Sequence, residues 1–126
     1  MWQGPFDLNG RNVVITGGAS GIGFAIARNL GKRGCRIMIA EPDESRLQSA
    51  VAALAEEGID ASYQICDVTQ LEQVEALAEQ AWRHFDRVDM VFNNAGIGIG
   101  QKPIIDTSME DLHAVFDVNF FGVWHV

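Results

Sequence analysis

The sequence predicts an α/β fold, a doubly wound parallel sheet of four strands in the order 3-2-1-4. Short apolar runs alternate with segments of helical periodicity, which is the pattern of strands connected by helices. The run from Arg36 to Ala40 is almost continuously apolar, as expected for a parallel strand covered on both faces. A glycine-rich turn joins the first strand to the first helix. Right-handed crossovers then place the first strand between the second and the fourth.

The boundaries of the predicted elements follow from periodicity and from capping signals. Strands are expected at residues 12–16, 36–40, 61–66 and 88–92. Helices are expected at residues 22–32, between Asp43 and Gly58, after a capping box at 69–72, and from a second capping box at 107–110 to the end. The expected buried faces are Ile22, Ala25, Ile26 and Leu30 in the first helix, and Leu112, Val115, Phe116, Phe120 and Val123 in the last.

Composition excludes several classes of partner. The 126 residues are 48% hydrophobic and 21% charged, which is ordinary for one small globular domain. A net charge of −8 and scattered basic residues argue against binding to nucleic acid or to an anionic membrane. No apolar run approaches the roughly twenty residues that a membrane helix needs. Residues 1–5 lack the features of a signal peptide, so we expect a cytoplasmic protein.

The spacing of cysteine and histidine does not indicate a metal site. Cys35 and Cys66 each lie in an apolar strand run, which predicts two buried thiols rather than a disulfide. His84, His113 and His125 are too far apart in sequence to form an i, i+4 pair of ligands. We therefore expect no metal cofactor.

The stretch from Arg11 to Leu30 carries the strongest functional signal. A β-branched run is followed by a loop containing Gly17, Gly21 and Gly23, and then by an apolar helix. Gly17 permits a sharp turn, Gly21 leaves room for a phosphate, and Gly23 lets the helix approach its strand. The N-terminus of a helix attracts an anion through its unpaired N–H groups. Glycines alone can also serve a tight connection, but their place between strand and helix favours a phosphate-binding loop.

The loop spacing is Thr-Gly-x-x-x-Gly-x-Gly, carried by Thr16, Gly17, Gly21 and Gly23. It resembles the loop of the short-chain dehydrogenase/reductase family of nicotinamide-dependent oxidoreductases. The resemblance covers nearly all of residues 7–126 and implies a Rossmann-like NAD(P)-binding domain spanning residues 1–126. It also implies a fold truncated after the fourth βα unit, with a bare edge at the fourth strand.

Glu41 is the expected ligand of the adenosine ribose. It ends the second strand 18 residues after Gly23, close to the usual spacing for such an acid. A carboxylate there accepts hydrogen bonds from the ribose hydroxyls and repels a 2′-phosphate. In the family, NADP users often carry a basic residue where this chain has Ser20 or Pro42. We therefore expect NAD rather than NADP, with Arg46 as the nearby cation that softens the discrimination; the alternative is a solvated surface glutamate.

Three further motifs match the family in chain order. Asp67-Val68 follows the third strand and is implied to contact adenine, although Asp67 also suits a turn before Thr69. Asn93-Asn94-Ala95-Gly96 follows the fourth strand at the switch point where open sheets bind ligands. The resemblance gives this run the roles of steadying the sheet and lining the cofactor site, whereas a simple turn explains only one asparagine.

Asn119 lies within an apolar helix, where asparagine is a mediocre helix former. The resemblance implies that Asn119 is a catalytic residue, which holds a water molecule between the catalytic lysine and solvent. Without the resemblance, Asn119 is equally well explained as a buried polar group whose hydrogen bonds are satisfied. The family's serine and Tyr-x-x-x-Lys do not occur in this sequence, and Tyr63 has Cys66 where the lysine belongs. We expect this chain alone to be inactive.

The predicted cofactor-binding set is Gly17, Ser20, Gly21, Ile22, Gly23, Glu41, Asp67, Val68, Asn94, Ala95 and Gly96, with Asn119 as the catalytic residue. The resemblance implies hydride transfer between NAD and an alcohol or ketone, with this chain as the cofactor-binding half. The alternative is a non-catalytic dinucleotide-binding module. The identity of the substrate is left open. Family members commonly pair through their fourth and fifth helices, so the resemblance implies a homo-oligomer for the complete protein, with residues 112–124 as either interface or core.

Overall fold

The computed structural model describes residues 7–126, in which four parallel strands form one sheet in the order β3-β2-β1-β4. The expectations for residues 1–5 lie outside the described residues. The strands are β1 (Asn12–Thr16), β2 (Arg36–Glu41), β3 (Ala61–Ile65) and β4 (Met90–Phe92). The helices are α1 (Gly21–Gly31), α2 (Glu44–Glu56), α3 (Leu71–Phe85), α4 (Met109–Phe116) and α5 (Gly122–His125). The predicted α/β class and strand order are confirmed.

The central strand β1 is apolar on both faces because helices cover both sides of the sheet. Val13 and Ile15 are fully buried in the layer beneath α1 and α2, together with Leu47 and Leu54. Val14 lies on the opposite face, in the layer covered by α3. The parallel register pairs Ile15 with Ile39 of β2 and Phe92 of β4, so the carboxyl ends of these strands meet at one edge.

The predicted face of α1 is wrong in part. Gly23 and Ala27 are buried, whereas Ala25 is exposed and Ile22 is 75% exposed. The cause is the close approach of α1 to the loop after β1, which turns small residues rather than branched ones toward the sheet. Ile26 and Leu30 are partly buried against the core, as expected.

The capping signals of the later helices also differ from the prediction. Residue 70 is the N-cap of α3, and the Thr69 hydroxyl donates to Asp67 Oδ1 instead of capping the helix. In α4 the capping box is present but shifted by one residue, with Ser108 as N-cap and Asp111 as its reciprocal partner. Thr107 and Ser108 are both good N-cap residues, and Glu110 and Asp111 are both acidic, so the sequence does not decide which pair forms the capping box.

The last helical segment is not one continuous α-helix. A π-helical turn spans Asp117–Phe121 between α4 and α5 and inserts an extra residue into the helical repeat. Of the predicted inward residues, Leu112, Phe116, Phe120 and Val123 are exposed, and Val115 is half-buried. The residues that instead reach the core are Val118 and Val126, which pack against the layer that contains Val68.

Two further expectations concern the cysteines and the membrane. Cys35 and Cys66 are buried free thiols, as the sequence predicts, and burial raises the pKa of the Cys66 thiol to about 11. Among residues 7–126, every helix is too short or too polar to cross a bilayer.

The amino ends of β1 and β4 are joined through Asp89. Its carboxylate accepts hydrogen bonds from the Asn12 backbone N–H at 2.9 Å and from Arg11 Nη1 at 3.0 Å, and Arg87 Nη2 lies 3.0 Å away. These donors hold the pKa of Asp89 below its usual value, with the Asn12 N–H as the largest cause. One half-buried carboxylate therefore fixes the edge of the sheet opposite the glycine loop.

We predict that Asp89→Asn lowers the urea midpoint at neutral pH, because Arg11 and Arg87 lose an ionised partner. The folded-state pKa is depressed, so the stabilisation is present above the unfolded value of about 3.9 and is lost as pH falls through the folded value. The midpoints of wild type and variant therefore converge in acid. Asp60→Asn, which removes an exposed partner of Arg36, is the control. A neutral-pH midpoint equal to that of Asp60→Asn contradicts this role.

Candidate functional site

A cavity of about 590 Å³ opens at the carboxyl edge of the sheet, where the loops after all four strands converge. Its volume lies within the range of small-molecule sites, and its position is the switch point of an open α/β sheet. The cavity is lined by all of the predicted cofactor-binding residues except Gly23. They are Gly17, Ser20, Gly21, Ile22, Glu41, Asp67, Val68, Asn94, Ala95 and Gly96.

The floor of the cavity is the glycine loop after β1. Gly17 has φ +63°, a left-handed conformation that glycine adopts without a steric cost, and its N–H donates to the Ala40 carbonyl at 2.7 Å. Gly23 lies beneath the floor, which explains why it does not line the cavity. A Cβ at Gly23 would lie 2.5 Å from Asn94 Nδ2 and closer still to the Gly17 carbonyl oxygen. Gly23 therefore sets how closely α1 approaches the loop.

The N-terminus of α1 forms one wall of the cavity. Gly21 has φ +53°, and within residues 7–126, apart from its chain neighbours and the backbone of its own helix, no atom lies within 4 Å of a Cβ built on it. Within the same residues, the Ser20 side chain makes no capping hydrogen bond to α1. The first turn of an α-helix has N–H groups without intrahelical acceptors and a partial positive charge. This wall thus offers backbone donors, with open space at Gly21 for an anion to approach them.

Thr16 and Asn94 join the ends of β1 and β4. The buried Thr16 hydroxyl accepts from the backbone N–H groups of Asn94 and Ala95, each at 3.1 Å, and donates to the Phe92 carbonyl at 3.4 Å. The Asn94 side chain donates to the Thr16 and Gly17 carbonyls, both at 3.1 Å. The asparagine thereby fixes the glycine loop against the loop after β4, one of the two roles expected of its motif.

Asn119 is exposed, but its side chain is hydrogen-bonded to the loop after β4, so the alternative of a buried polar group is wrong. Its Oδ1 accepts from the Ile97 N–H at 2.8 Å, and its Nδ2 donates to the Ile97 carbonyl at 2.9 Å. The π-helical turn brings this side chain to the loop. Asn119 does not itself line the cavity, whereas Gly96 and Ile97 do. The structure therefore gives Asn119 a positioning contact next to the predicted site.

Glu41, Ser20 and Arg46 meet at the mouth of the cavity between β2 and α2. The Glu41 side chain is only 8% exposed, and its Oε1 lies 3.4 Å from Arg46 Nε. Arg46 Nη2 donates to Ser20 Oγ at 2.7 Å. A buried carboxylate is stabilised by a paired cation, so Arg46 offsets part of the cost of burying Glu41.

The loop after β3 forms the opposite wall. Asp67 Oδ1 accepts from the Thr69 N–H at 2.9 Å and from the Thr69 hydroxyl at 2.7 Å, which is the turn role allowed for Asp67 by the sequence. Val68 is buried against Gly122, where a Cβ would touch Val68 Cγ2. His125 Nδ1 lies 2.7 Å from the Val68 carbonyl and therefore donates to it. These contacts from α5 hold the wall in place.

Thr16 and eight residues that line the cavity are absent from the predicted set. Thr16 organises the strand ends through its hydroxyl, and Thr69, Ile97 and Val118 line the cavity. The Thr-Gly step at the end of β1 is the sequence signal for the role of Thr16. Ile97 and Val118 carry no chemical signal in the sequence, because they contribute only apolar surface brought together by the fold.

Comparison with known proteins decides the family. The family model described as "short chain dehydrogenase" matches residues 11–126. The chain belongs to the short-chain dehydrogenase/reductase family. It is 37% identical over 120 residues to 1-deoxy-11-beta-hydroxypentalenate dehydrogenase of Streptomyces avermitilis, covering 94% of this chain and 44% of that relative.

Solved structures of this family superpose on the short-chain dehydrogenase fold of this chain. A family member from Burkholderia phymatum in complex with NAD matches with a TM-score of 0.89 and 38% identity, covering 95% of this chain and 42% of that chain. Actinorhodin polyketide ketoreductase with NADPH matches with a TM-score of 0.88 and 33% identity, covering 93% and 44%. This chain thus spans less than half the length of these relatives.

We predict that Thr16→Val destabilises the short-chain dehydrogenase fold, because two half-buried N–H groups lose their acceptor while the volume stays nearly constant. The expected loss in the free energy of unfolding is about 2 kcal/mol, measured by urea titration. Thr107→Val removes a hydroxyl whose only acceptor among the described residues is the Pro103 carbonyl at 3.4 Å, and serves as the control. Equal losses in the two variants would show that Thr16 is not central to the fold.

Proposed function

We propose that this chain binds NAD and supplies the cofactor-binding half of an oxidoreductase that acts on an alcohol or ketone. The observation that carries the proposal is the cavity at the carboxyl edge, where a helix N-terminus, a buried carboxylate and an apolar wall face one space. These three features match the three chemical parts of a dinucleotide: diphosphate, ribose and a flat base. The alternative of a non-catalytic dinucleotide-binding module rests on the same cavity.

The diphosphate is proposed to lie against Gly17, Ser20, Gly21 and Ile22. The first-turn N–H groups of α1 donate to its oxygens, and the helix dipole favours its negative charge. A Cβ at Gly21 would point into open space. This is the space that an anion approaching the backbone requires, so the residues present fit the group.

The adenosine half is proposed to lie between Glu41 and Asp67. The Glu41 carboxylate accepts hydrogen bonds from the 2′ and 3′ hydroxyls of the ribose and disfavours a 2′-phosphate in the same position. The base then lies against Val68, with Asp67 accepting from its amino group. The relatives include one solved with NAD and one solved with NADPH, so the preference for NAD rests on Glu41.

The nicotinamide half is proposed to extend past Asn94, Ala95 and Gly96 toward Ile97. When bound, the nicotinamide supplies a hydride acceptor or donor for a substrate carbon. Asn119 holds the Ile97 backbone in position through two hydrogen bonds, and is proposed to maintain the shape of the loop that borders the reaction. Reduction of a ketone also needs a group that donates a proton to the substrate oxygen. In the family that donor is the tyrosine of Tyr-x-x-x-Lys, a motif that does not occur in these 126 residues.

The remaining proposals concern the setting of this protein. The exposed aromatic face with Phe116, Phe120 and Trp124 is proposed as a surface for pairing with a second copy. The buried free thiols Cys35 and Cys66 favour a reducing, cytoplasmic location.

We predict that the chain binds NADH about tenfold more tightly than NADPH, which corresponds to ~1.4 kcal/mol. Gly21→Ala should weaken binding of both dinucleotides at least about tenfold, because a methyl group enters the path of the diphosphate. The measurement is calorimetric titration of the purified chain.

The matched control for Gly21→Ala is Gly58→Ala. Gly58 also has a left-handed φ, +75°, and, apart from its chain neighbours, has no described atom within 4 Å of its Cβ position, but it lies after the end of α2, away from the cavity. Both variants incur a similar backbone strain, of about 1 to 2 kcal/mol. Equal loss of NADH binding in the two variants, or tighter binding of NADPH by the wild type, would contradict the proposal.

A further inference from the structure

We propose that His125 is a positioning residue for the base of the dinucleotide, because it holds the Val68 carbonyl and thereby fixes the wall that the base contacts. This inference rests on the proposed function and deepens it, since His125 itself does not line the cavity. It starts from the loop after β3, which runs from Cys66 to the beginning of α3 at Leu71.

Side chains from two helices hold this loop in place. The Asp67 N–H donates to Gln73 Oε1 of α3 at 2.8 Å, and the Val68 carbonyl lies 2.7 Å from His125 Nδ1 of α5. Within residues 7–126, no backbone N–H donates to the Val68 carbonyl. A carbonyl oxygen can only accept, so the imidazole supplies the proton, and a neutral ring must then carry it on Nδ1. The bond from His125 therefore determines where the Val68 peptide lies.

The last helix contacts Val68 at its side chain as well as at its backbone. Gly122 and His125 are three residues apart, so they lie on the same face of α5. A Cβ on Gly122 would lie 2.5 Å from Val68 Cγ2, and the lack of a side chain there lets α5 approach closely enough for the His125 bond. The Val68 side chain is buried in the layer against which Val118 and Val126 pack. Val68 is thus held by α5 at both ends of the residue.

The position of His125 limits it to an indirect role. Its ring lines a neighbouring space of about 450 Å³ together with Gln70 and Phe121, whereas Asp67 and Val68 line the cavity itself. A flat base depends on close contact with its wall, because a gap of about 0.5 to 1 Å forfeits roughly a quarter to a half of the dispersion attraction. Small movements of Val68 should therefore change the affinity for the base.

The test compares His125→Leu with His125→Asn in the full chain, with NADH as the probe. Leucine has no donor, whereas the asparagine amide donates from the same place along the side chain as Nδ1. His125→Leu should weaken NADH binding about tenfold in calorimetry, and His125→Asn should stay within about twofold of the wild type. A role in packing alone predicts the reverse order, because leucine provides more apolar contact than asparagine.

Amide NMR separates the base wall from the rest of the site. At saturating NADH, the signals of Gly21 and Ile22 should reach the same shifts in the wild type and in His125→Leu, whereas those of Val68 and Thr69 should differ. The ¹⁵N shifts of the neutral His125 ring should show its proton on Nδ1. A proton on Nε2 would mean that the ring does not donate to Val68 and would overturn the inference.

The matched control is His113→Leu. His113 is exposed on α4 and does not line the cavity, so its replacement should leave NADH affinity unchanged. Wild-type affinity in His125→Leu, or equal losses in His125→Leu and His125→Asn, would refute the role of His125 while the proposed function stands. If the wild type binds no NADH, the proposed function fails and this inference fails with it.

Discussion

The hydrogen-bonded link between Thr16 and Asn94 is the constraint on which the candidate site depends. Strands β1 and β4 are far apart in sequence, and β4 pairs with β1 through only three residues. The Thr16 hydroxyl accepts hydrogen bonds from two backbone N–H groups of the loop after β4, and the Asn94 side-chain amide donates to the carbonyls of Thr16 and Gly17. Because these groups are buried or half-buried, each lost bond would leave an unsatisfied polar atom. The link thus fixes the cavity floor relative to its wall.

The two edges of the sheet differ in role: the amino edge stabilises the fold, and the carboxyl edge carries the candidate binding site. At the amino edge, the Asp89 carboxylate already accepts hydrogen bonds from the backbone of β1 and from Arg11, and it is also paired with Arg87. Few of its lone pairs are therefore left for a ligand. At the carboxyl edge, a single arginine faces the Glu41 carboxylate across a cavity. The same chemistry, a carboxylate beside a guanidinium, therefore serves to join strands at one end and is proposed to select a ribose at the other.

The sequence predicts those parts of the molecule that depend on local pattern. The apolar run 36–40, the glycines after β1 and the acid at Glu41 each have a requirement that few other residues satisfy, and all lie where expected. The buried face of α1 was not predicted correctly, because close approach at Gly23 rotates small residues inward. The π-helical turn around Asn119 and the bond from Arg46 to Ser20 arise from tertiary contacts, which local periodicity does not encode.

The central claim is that the loop from Gly17 to Gly23 holds a diphosphate, and amide NMR tests it most directly. Titration of the ¹⁵N-labelled chain with NADH should shift the amide signals of Gly21, Ile22 and Gly23 with one saturation curve, shared by Ala95 and Gly96. The amide signals of Asn12 and Asp89, at the opposite edge, should stay unchanged. Saturable binding that shifts only residues outside the cavity, or no binding at millimolar NADH, would contradict the account.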